Sequence, residues 1–370
     1  MVTPSIVLRK LGLPLLGMVV LFSSAVAAPP LPDGTEQKLT PSTQKMAGFQ
    51  KWLKNRKAAL VAGGTVVRTS VGPIEYRAEG HGPAVICLQG GFGGYDQSML
   101  MGRFLVKSGF SVIGVSRAGY LRTPITAGSS LEQQADAVVA LMDALRIKQA
   151  HIFGFSAGTP IAFQVGVRHP ERVYSVVLTG MGTPGGDAPY YQFLTLFLKE
   201  DYALDVLPYG LYLLTQTDAR ATAELMFAVD SELTGADAQR RLNFVLNNPQ
   251  QRELLLDLAI TLTPLSVRRD GTLNDIEGVD APWEEFAAAG QLQNFSRPIL
   301  IVDAINDGNG SYPQTVDIAD QIPPAQLLSV KNSGHFIWLG EDTAQWQAKM
   351  VTFLKTNQPK NPTNFFWRGP

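Results

Sequence analysis

Six short apolar runs recur along this chain, at residues 85–88, 112–115, 152–155, 173–178, 299–303 and 327–330, and within each the apolar character is nearly continuous. A strand with one wet face alternates apolar and polar residues, whereas an unbroken run marks a strand covered on both sides. Helix-period stretches lie between most of these runs, at 97–108, 131–145, 159–169 and 312–321, and another, 343–354, follows the last. Such alternation predicts an α/β fold, a mostly parallel sheet with helices on both faces. Ahead of the first run, 65–69 and 73–77 flank Val71-Gly72 and read as an antiparallel hairpin.

One interval breaks the rhythm. Between Thr179 and Arg297 there is no convincing strand, only amphipathic helix candidates such as 191–198, 219–229 and 251–262, so 181–296 reads as a helical lid inserted into a core formed by 65–180 and 297–357. Its aromatic residues, from Tyr190 to Phe286, are expected mainly to pack it onto the core. Residues 29–64 form a polar linker and a short helical segment, and 358–370 a C-terminal tail. At the N-terminus, Arg9-Lys10 precede an uncharged stretch that ends in Ala25-Val26-Ala27-Ala28. This is the layout of a secretory signal with an A-x-A cleavage site, so 1–28 is expected to be removed and the protein to be periplasmic or secreted. The competing reading is an uncleaved anchor, the one route here to membrane association.

Composition removes several function classes. Lys and Arg total 31 against 32 Asp and Glu, a net charge of −1, with no basic stretch to meet nucleic acid. The one cysteine, Cys87, cannot form an internal disulfide, and with four histidines it offers no metal-ligand cluster. No metal or other cofactor is expected, and the expected partner is a small-molecule substrate.

Gly154-Phe155-Ser156-Ala157-Gly158 follows one apolar run and opens a helical stretch. In that context a serine sits on a sharp strand-to-helix turn, exposed to substrate, with small neighbours two residues either side so that the turn can close. Among 35 glycines the pattern alone could be structural, and the histidines decide. Ligands gather at the carboxyl ends of parallel strands. His151 opens the strand that ends at the serine, His81 precedes its strand, and His169 closes the following helix at about 1.5 Å per residue from the serine, so all three lie at the wrong edge. His335 follows the last strand at the correct edge and can serve as the base that a serine hydroxyl needs. A carboxylate must orient it; Asp307, leaving the preceding strand, is the choice, with Asp303 the alternative. Developing oxyanion charge requires waiting donors, the backbone N–H of Ala157 and one from the turn Gln89-Gly90-Gly91-Phe92-Gly93-Gly94, with Gly91 first and Phe92 next. That turn could instead cradle a phosphate, but no G-K-[ST] follows it.

With serine, acid, histidine and glycine turn in that chain order, residues 65–357 resemble the α/β-hydrolase superfamily, nearest its lid-bearing esterases, carbon–carbon bond hydrolases and proline iminopeptidases. Members commonly carry His-Gly-Gly-Pro-Gly where this chain has Gln89-Gly90-Gly91-Phe92-Gly93. The stretch from Ser116 to Pro124, which includes Arg117-Ala118-Gly119-Tyr120, is similar to a turn that is usually structural in such folds. A serine nucleophile implies acyl transfer to water through an acyl-serine, with a carboxylic ester as the substrate that demands least of the lid. Aminopeptidase action would need lid carboxylates to hold an amine, for which Glu224, Asp230, Glu284 and Glu285 are available. Carbon–carbon cleavage, perhydrolysis and a non-catalytic binding scaffold are the other readings. Arg268-Arg269-Asp270 with Asn274-Asp275 reads as a salt-bridged hinge at the lid's return to the core.

Overall fold

The computed structural model describes residues 41–181, 198–199, 204–277, 282–362 and 364–366. Helix α1 (Pro41–Gly63) leads into the hairpin β1 (Thr65–Thr69) and β2 (Gly72–Glu79). There follow β3 (His81–Leu88), α2 (Tyr95–Lys107), β4 (Ser111–Val115), α3 (Leu131–Ala144), β5 (Ala150–Phe155), α4 (Thr159–Arg168) and β6 (Val173–Thr179). The insertion contributes α5 (Val206–Thr217), α6 (Ala219–Asp230), α7 (Gly235–Asn247), α8 (Pro249–Thr261), α9 (Arg269–Glu277) and α10 (Pro282–Ala288). The core resumes with β7 (Ile299–Ala304), α11 (Tyr312–Gln321), β8 (Ala325–Val330) and α12 (Thr343–Thr356), and ends at β9 (Asn364–Phe366).

The strands lie in the order β1-β2-β4-β3-β5-β6-β7-β8. β1, β2 and β4 pair antiparallel, and every contact from β4 to β8 is parallel. Successive residues of one strand feed opposite cores, which is why the runs do not alternate. Ile86 and Leu88 join Val138, Leu141, Ile161 and Phe163 from α3 and α4, while Val85 and Cys87 join Leu105, Trp346 and Met350 from α2 and α12. Each fully buried aliphatic side chain of this kind contributes about 1.5–3 kcal/mol.

Two boundaries differ from the sequence reading. His81 opens β3 instead of preceding it, because Gly82 and Pro83 do not read as strand yet pair with β9. The C-terminal stretch read as a tail supplies β9, three residues too short to give a periodic signal. Among the described residues no helix is long and apolar enough to cross a membrane. The signal and linker at 1–40, residues 191–197 of the helix candidate at 191–198, and the aromatics Tyr190, Tyr191, Phe193, Phe197 and Tyr202 lie outside the described residues. Within them, Trp283 and Phe286 pack on Phe163 of α4 and so fasten the insertion to the core, whereas Tyr209 and Tyr212 pack on Trp52 of α1, in the segment that precedes it.

Candidate active site

Ser156 takes φ +50°, a left-handed conformation strained for a side-chain-bearing residue, at the point where β5 gives way to a short 3₁₀ turn (Ser156–Gly158) and then α4. The glycines on either side are explained by contact. A Cβ on Gly158 would lie 2.7 Å from both Gln89 O and Leu88 O, and one on Gly154 would lie 2.5 Å from Gly158 O. The serine turn therefore presses against the end of β3, which brings the 89–94 turn beside it. A Cβ on Gly90 would meet Ser156 Cβ at 2.9 Å, whereas Gly91 faces open space. Phe92 sits at φ +61° with its side chain against Leu198, Leu204 and Leu265 of the insertion. Ala157 is the second residue of the 3₁₀ turn, where backbone N–H groups are not consumed by a preceding helical turn.

His335 and Asp307 are brought together. Nδ1 of His335 lies 2.8 Å from Oδ2 of Asp307, and both side chains are buried. A carboxylate only accepts, so Nδ1 carries the hydrogen and the Nε2 lone pair is left for a proton. Asp307 Oδ1 accepts from the backbone N–H of Asn309 at 2.7 Å and of Gly310 at 2.9 Å. The imidazole ring packs 4.9 Å from the ring of Phe155, the residue before the serine. No hydrogen bond joins His335 to Ser156 in this structure; such contacts often tighten only when substrate binds.

Burial opposes an imidazolium at His335, but the charge and hydrogen bond of Asp307, with Asp303 and Asp230 behind it, hold the ring above its ordinary value. At Asp307 burial pushes upward, and the His335 charge and hydrogen bond with the two backbone N–H groups carry it below the usual carboxylate range. Asp303, the alternative acid, is the last residue but one of β7 and is turned elsewhere: Thr315 donates to it at 2.6 Å and the Ala304 N–H at 2.9 Å. Burial, and then the charge of Asp307, push it up to about 7. The other histidines stand apart from this edge. His151 meets Ser175 at 2.8 Å, and His169 meets Asp136 at 2.7 Å.

The turn after β4 does more than close a loop. Arg117 Nε donates to Gln89 O at 2.9 Å and Nη2 to Gly90 O at 3.4 Å, so a buried guanidinium holds two carbonyls of the glycine turn, whose Gly90 N–H donates to Gln97 Oε1 at 3.0 Å. Arg117 is neutralised by Asp275 of α9 at 2.8 Å, and Arg268 reaches Gly93 O while pairing with Asp96 at 2.8 Å. In the stretch read as a salt-bridged hinge, Arg268 and Asp275 thus pair with the core and not with one another. Two of the proposed amine-holding carboxylates are also occupied: Asp230 is fully buried against Arg241, and Glu224 pairs with Arg220 one turn away. Sequence reasoning did not single out Arg117, Asp96 or Arg241 for the site, because each acquires its role from a partner far away in the chain or from burial.

The sequence matches the α/β hydrolase fold family over residues 83–342. The chain belongs to that family. It is 26% identical over 288 residues to an uncharacterised hydrolase, YcgS, of Bacillus subtilis, covering 77% of this chain and 96% of that one. It is 27% identical over 247 residues to a 2-hydroxy-6-oxononadienedioate/2-hydroxy-6-oxononatrienedioate hydrolase of Pseudomonas putida, covering 66% of this chain and 74% of that one. Among solved structures, an α/β-hydrolase-fold protein from Nakamurella multipartita superposes with a TM-score of 0.68 at 23% identity, over 79% of this chain and 99% of that one. The chain is a hydrolase of this fold.

Proposed function

We propose that the chain is a serine hydrolase that cleaves a small or medium, mainly apolar carboxylic ester through an acyl-serine intermediate. The observation that carries this reading is the buried 2.8 Å contact between His335 and Asp307, packed against the turn that holds Ser156 at φ +50°. In the proposed reaction His335 Nε2 takes the Ser156 proton as Oγ attacks the ester carbonyl. The oxyanion is received by the N–H of Ala157 and of Gly91 or Phe92. His335 then returns its proton to the departing alcohol, and water, activated by the same base, releases the acid.

The test is a series of p-nitrophenyl esters of graded acyl length beside proline and other aminoacyl arylamides, with Ser156→Ala as control. Ester turnover that disappears in the control, with fluorophosphonate labelling at Ser156, is the expected result. Turnover of arylamides alone rejects the ester reading, and neither turnover nor labelling leaves a binding scaffold. Carbon–carbon bond hydrolysis is a second reading, favoured by the Pseudomonas relative; a vinylogous 1,5-diketone belongs in the same screen. Export is proposed from the sequence of residues 1–28 alone, and mass spectrometry of the native protein should find a first residue near Ala28 or Pro29.

A further inference from the structure

One carbonyl oxygen joins the two loops that carry the base and its acid. Asp230, the last residue of α6, accepts at its backbone oxygen from the N–H of His335 at 2.6 Å and from the N–H of Gly308 at 3.0 Å. A carbonyl has two lone pairs, and here each is spent on a different loop. Around it the backbone is threaded tightly: Ser231 forms a bridge with Asp307, and the Glu232 N–H donates to Asn306 O at 3.0 Å. Both loops have a glycine where this segment enters. A Cβ on Gly334 would stand 2.4 Å from Asp230 O, and one on Gly308 would stand 2.6 Å from Ser231 N. No other residue would let the end of α6 come so close.

What keeps that end in place is a fully buried ion pair. Arg241 of α7 grips the Asp230 carboxylate with both arms, Nη1 to Oδ1 at 2.9 Å and Nη2 to Oδ2 at 2.8 Å. Its Nε donates to Leu339 O at 2.9 Å, downstream of His335, and its guanidinium lies 4.0 Å over the ring of Phe227 in α6. The carboxylate also accepts from the Phe336 N–H at 3.3 Å. Three segments thus meet at one bidentate fork, α6, α7 and the histidine loop, and the acid loop joins them through the backbone oxygen of Asp230.

We propose that Asp230 and Arg241 are positioning residues for the proposed base and acid: their ion pair locks the end of α6 between the 306–310 and 333–336 loops and so sets the separation of His335 from Asp307. This rests on the serine-hydrolase reading above. It makes a part of the insertion a working component of the site, where α6 and α7 would otherwise be only a cover.

The test compares Asp230→Asn, Arg241→Lys and the double variant Asp230→Leu/Arg241→Met in the full chain, by kcat and KM on the best ester, by the rate of fluorophosphonate labelling of Ser156, and by thermal melting. Misplacement by about 1 Å costs on the order of 10²-fold, so Asp230→Asn is expected to lose that much kcat and labelling rate with KM nearly unchanged. Its acid limb should also move to lower pH, because one of the three carboxylates facing His335, with Asp307 and Asp303, loses its charge while Arg241 keeps its own. The double variant removes the pair without leaving a buried charge, so it is expected to melt near the wild type yet to share the kcat loss. Arg241→Lys keeps the charge without the fork and should fall between. A folded double variant with wild-type kcat, or an unchanged kcat in Arg241→Lys, overturns the proposal. If the wild type neither turns over an ester nor labels at Ser156, the underlying reading fails and takes this one with it; if only the variants behave as wild type, this one fails alone.

Discussion

Replacing Asp307 by asparagine removes a charge and almost no volume, and the structure dictates which way the new amide must face. The N–H groups of Asn309 and Gly310 both point at Oδ1, at 2.7 and 2.9 Å, so the amide oxygen belongs there and the NH₂ is turned toward His335. A donor facing Nδ1 forces that nitrogen to accept, which places the hydrogen on Nε2 and abolishes the base. The flipped amide would restore the productive tautomer but would set NH₂ against two backbone donors, and because Asn309 is exposed and Gly310 half-buried each mismatch costs about 1 kcal/mol, the low end of the range for an unsatisfied N–H. The productive form is therefore disfavoured by roughly 2 kcal/mol, a population on the order of a few per cent at about 1.4 kcal/mol per decade. Asp303 cannot step in without surrendering its bonds to Thr315 and Ala304. Stopped-flow measurement of the p-nitrophenolate burst, with circular dichroism to verify folding, reads the effect. A folded Asp307→Asn enzyme within tenfold of wild-type acylation would refute the tautomer argument.

Gly158→Ala drives a Cβ to 2.7 Å from two backbone oxygens of the β3 end, so it should destabilise by about 1–3 kcal/mol and lower kcat by moving the glycine turn; melting temperature and kinetics check both. Asp275→Ala strands the buried Arg117 guanidinium behind that turn, with an expected loss of about 3–5 kcal/mol in denaturant unfolding. Because the neutral imidazole is the proposed base and His335 is held above the ordinary value of about 6.5, kcat/KM should rise with pH through a limb above that value; a limb below it contradicts the assigned environment. The same pair acts on stability with opposite senses. The His335 contribution is full below the ordinary imidazole value and fades as pH rises through the raised one; the Asp307 contribution is full above about 3.9 and is lost as pH falls through the depressed one.

The strands that bear the site were legible because each is covered on both faces, so that burial wrote a continuous apolar run into the sequence at 85–88, 152–155 and 299–303. Strand polarity then made His335 the one histidine near the serine edge, since position along a parallel strand is a matter of counting. What could not be read was lateral. Asp230 appears in the sequence as one more acidic residue near a helix end; only the fold shows that it faces Arg241 with no solvent between them. Arg117 and Asp275 stand 158 positions apart, and no local pattern distinguishes their pairing from a solvated face. Gly308 and Gly334 resemble ordinary turn glycines until the end of α6 is seen to fill the space that their side chains would occupy.

These pairings also limit how substrate can enter. Opening the insertion by swinging 264–277 away from the core would separate Arg117 from Asp275 and Arg268 from Asp96, and the arginines of both pairs are almost completely buried. Separating a pair while its arginine stays buried costs about 3–5 kcal/mol, so a swing that leaves Arg117 in its place behind the glycine turn would be populated at less than about 10⁻². The same swing would pull Arg268 off Gly93 O and take the counter-ion from Arg117, which stays bonded to Gln89 O, and so would loosen the glycine turn it was meant to uncover. Entry past this segment therefore requires it to stay closed while substrate passes elsewhere. Amide hydrogen exchange gives the decisive comparison: α9 should exchange as slowly as α7 in the free enzyme, and fast exchange confined to α9 would mean that the ion pairs open in ordinary turnover and that this part of the insertion does act as a gate.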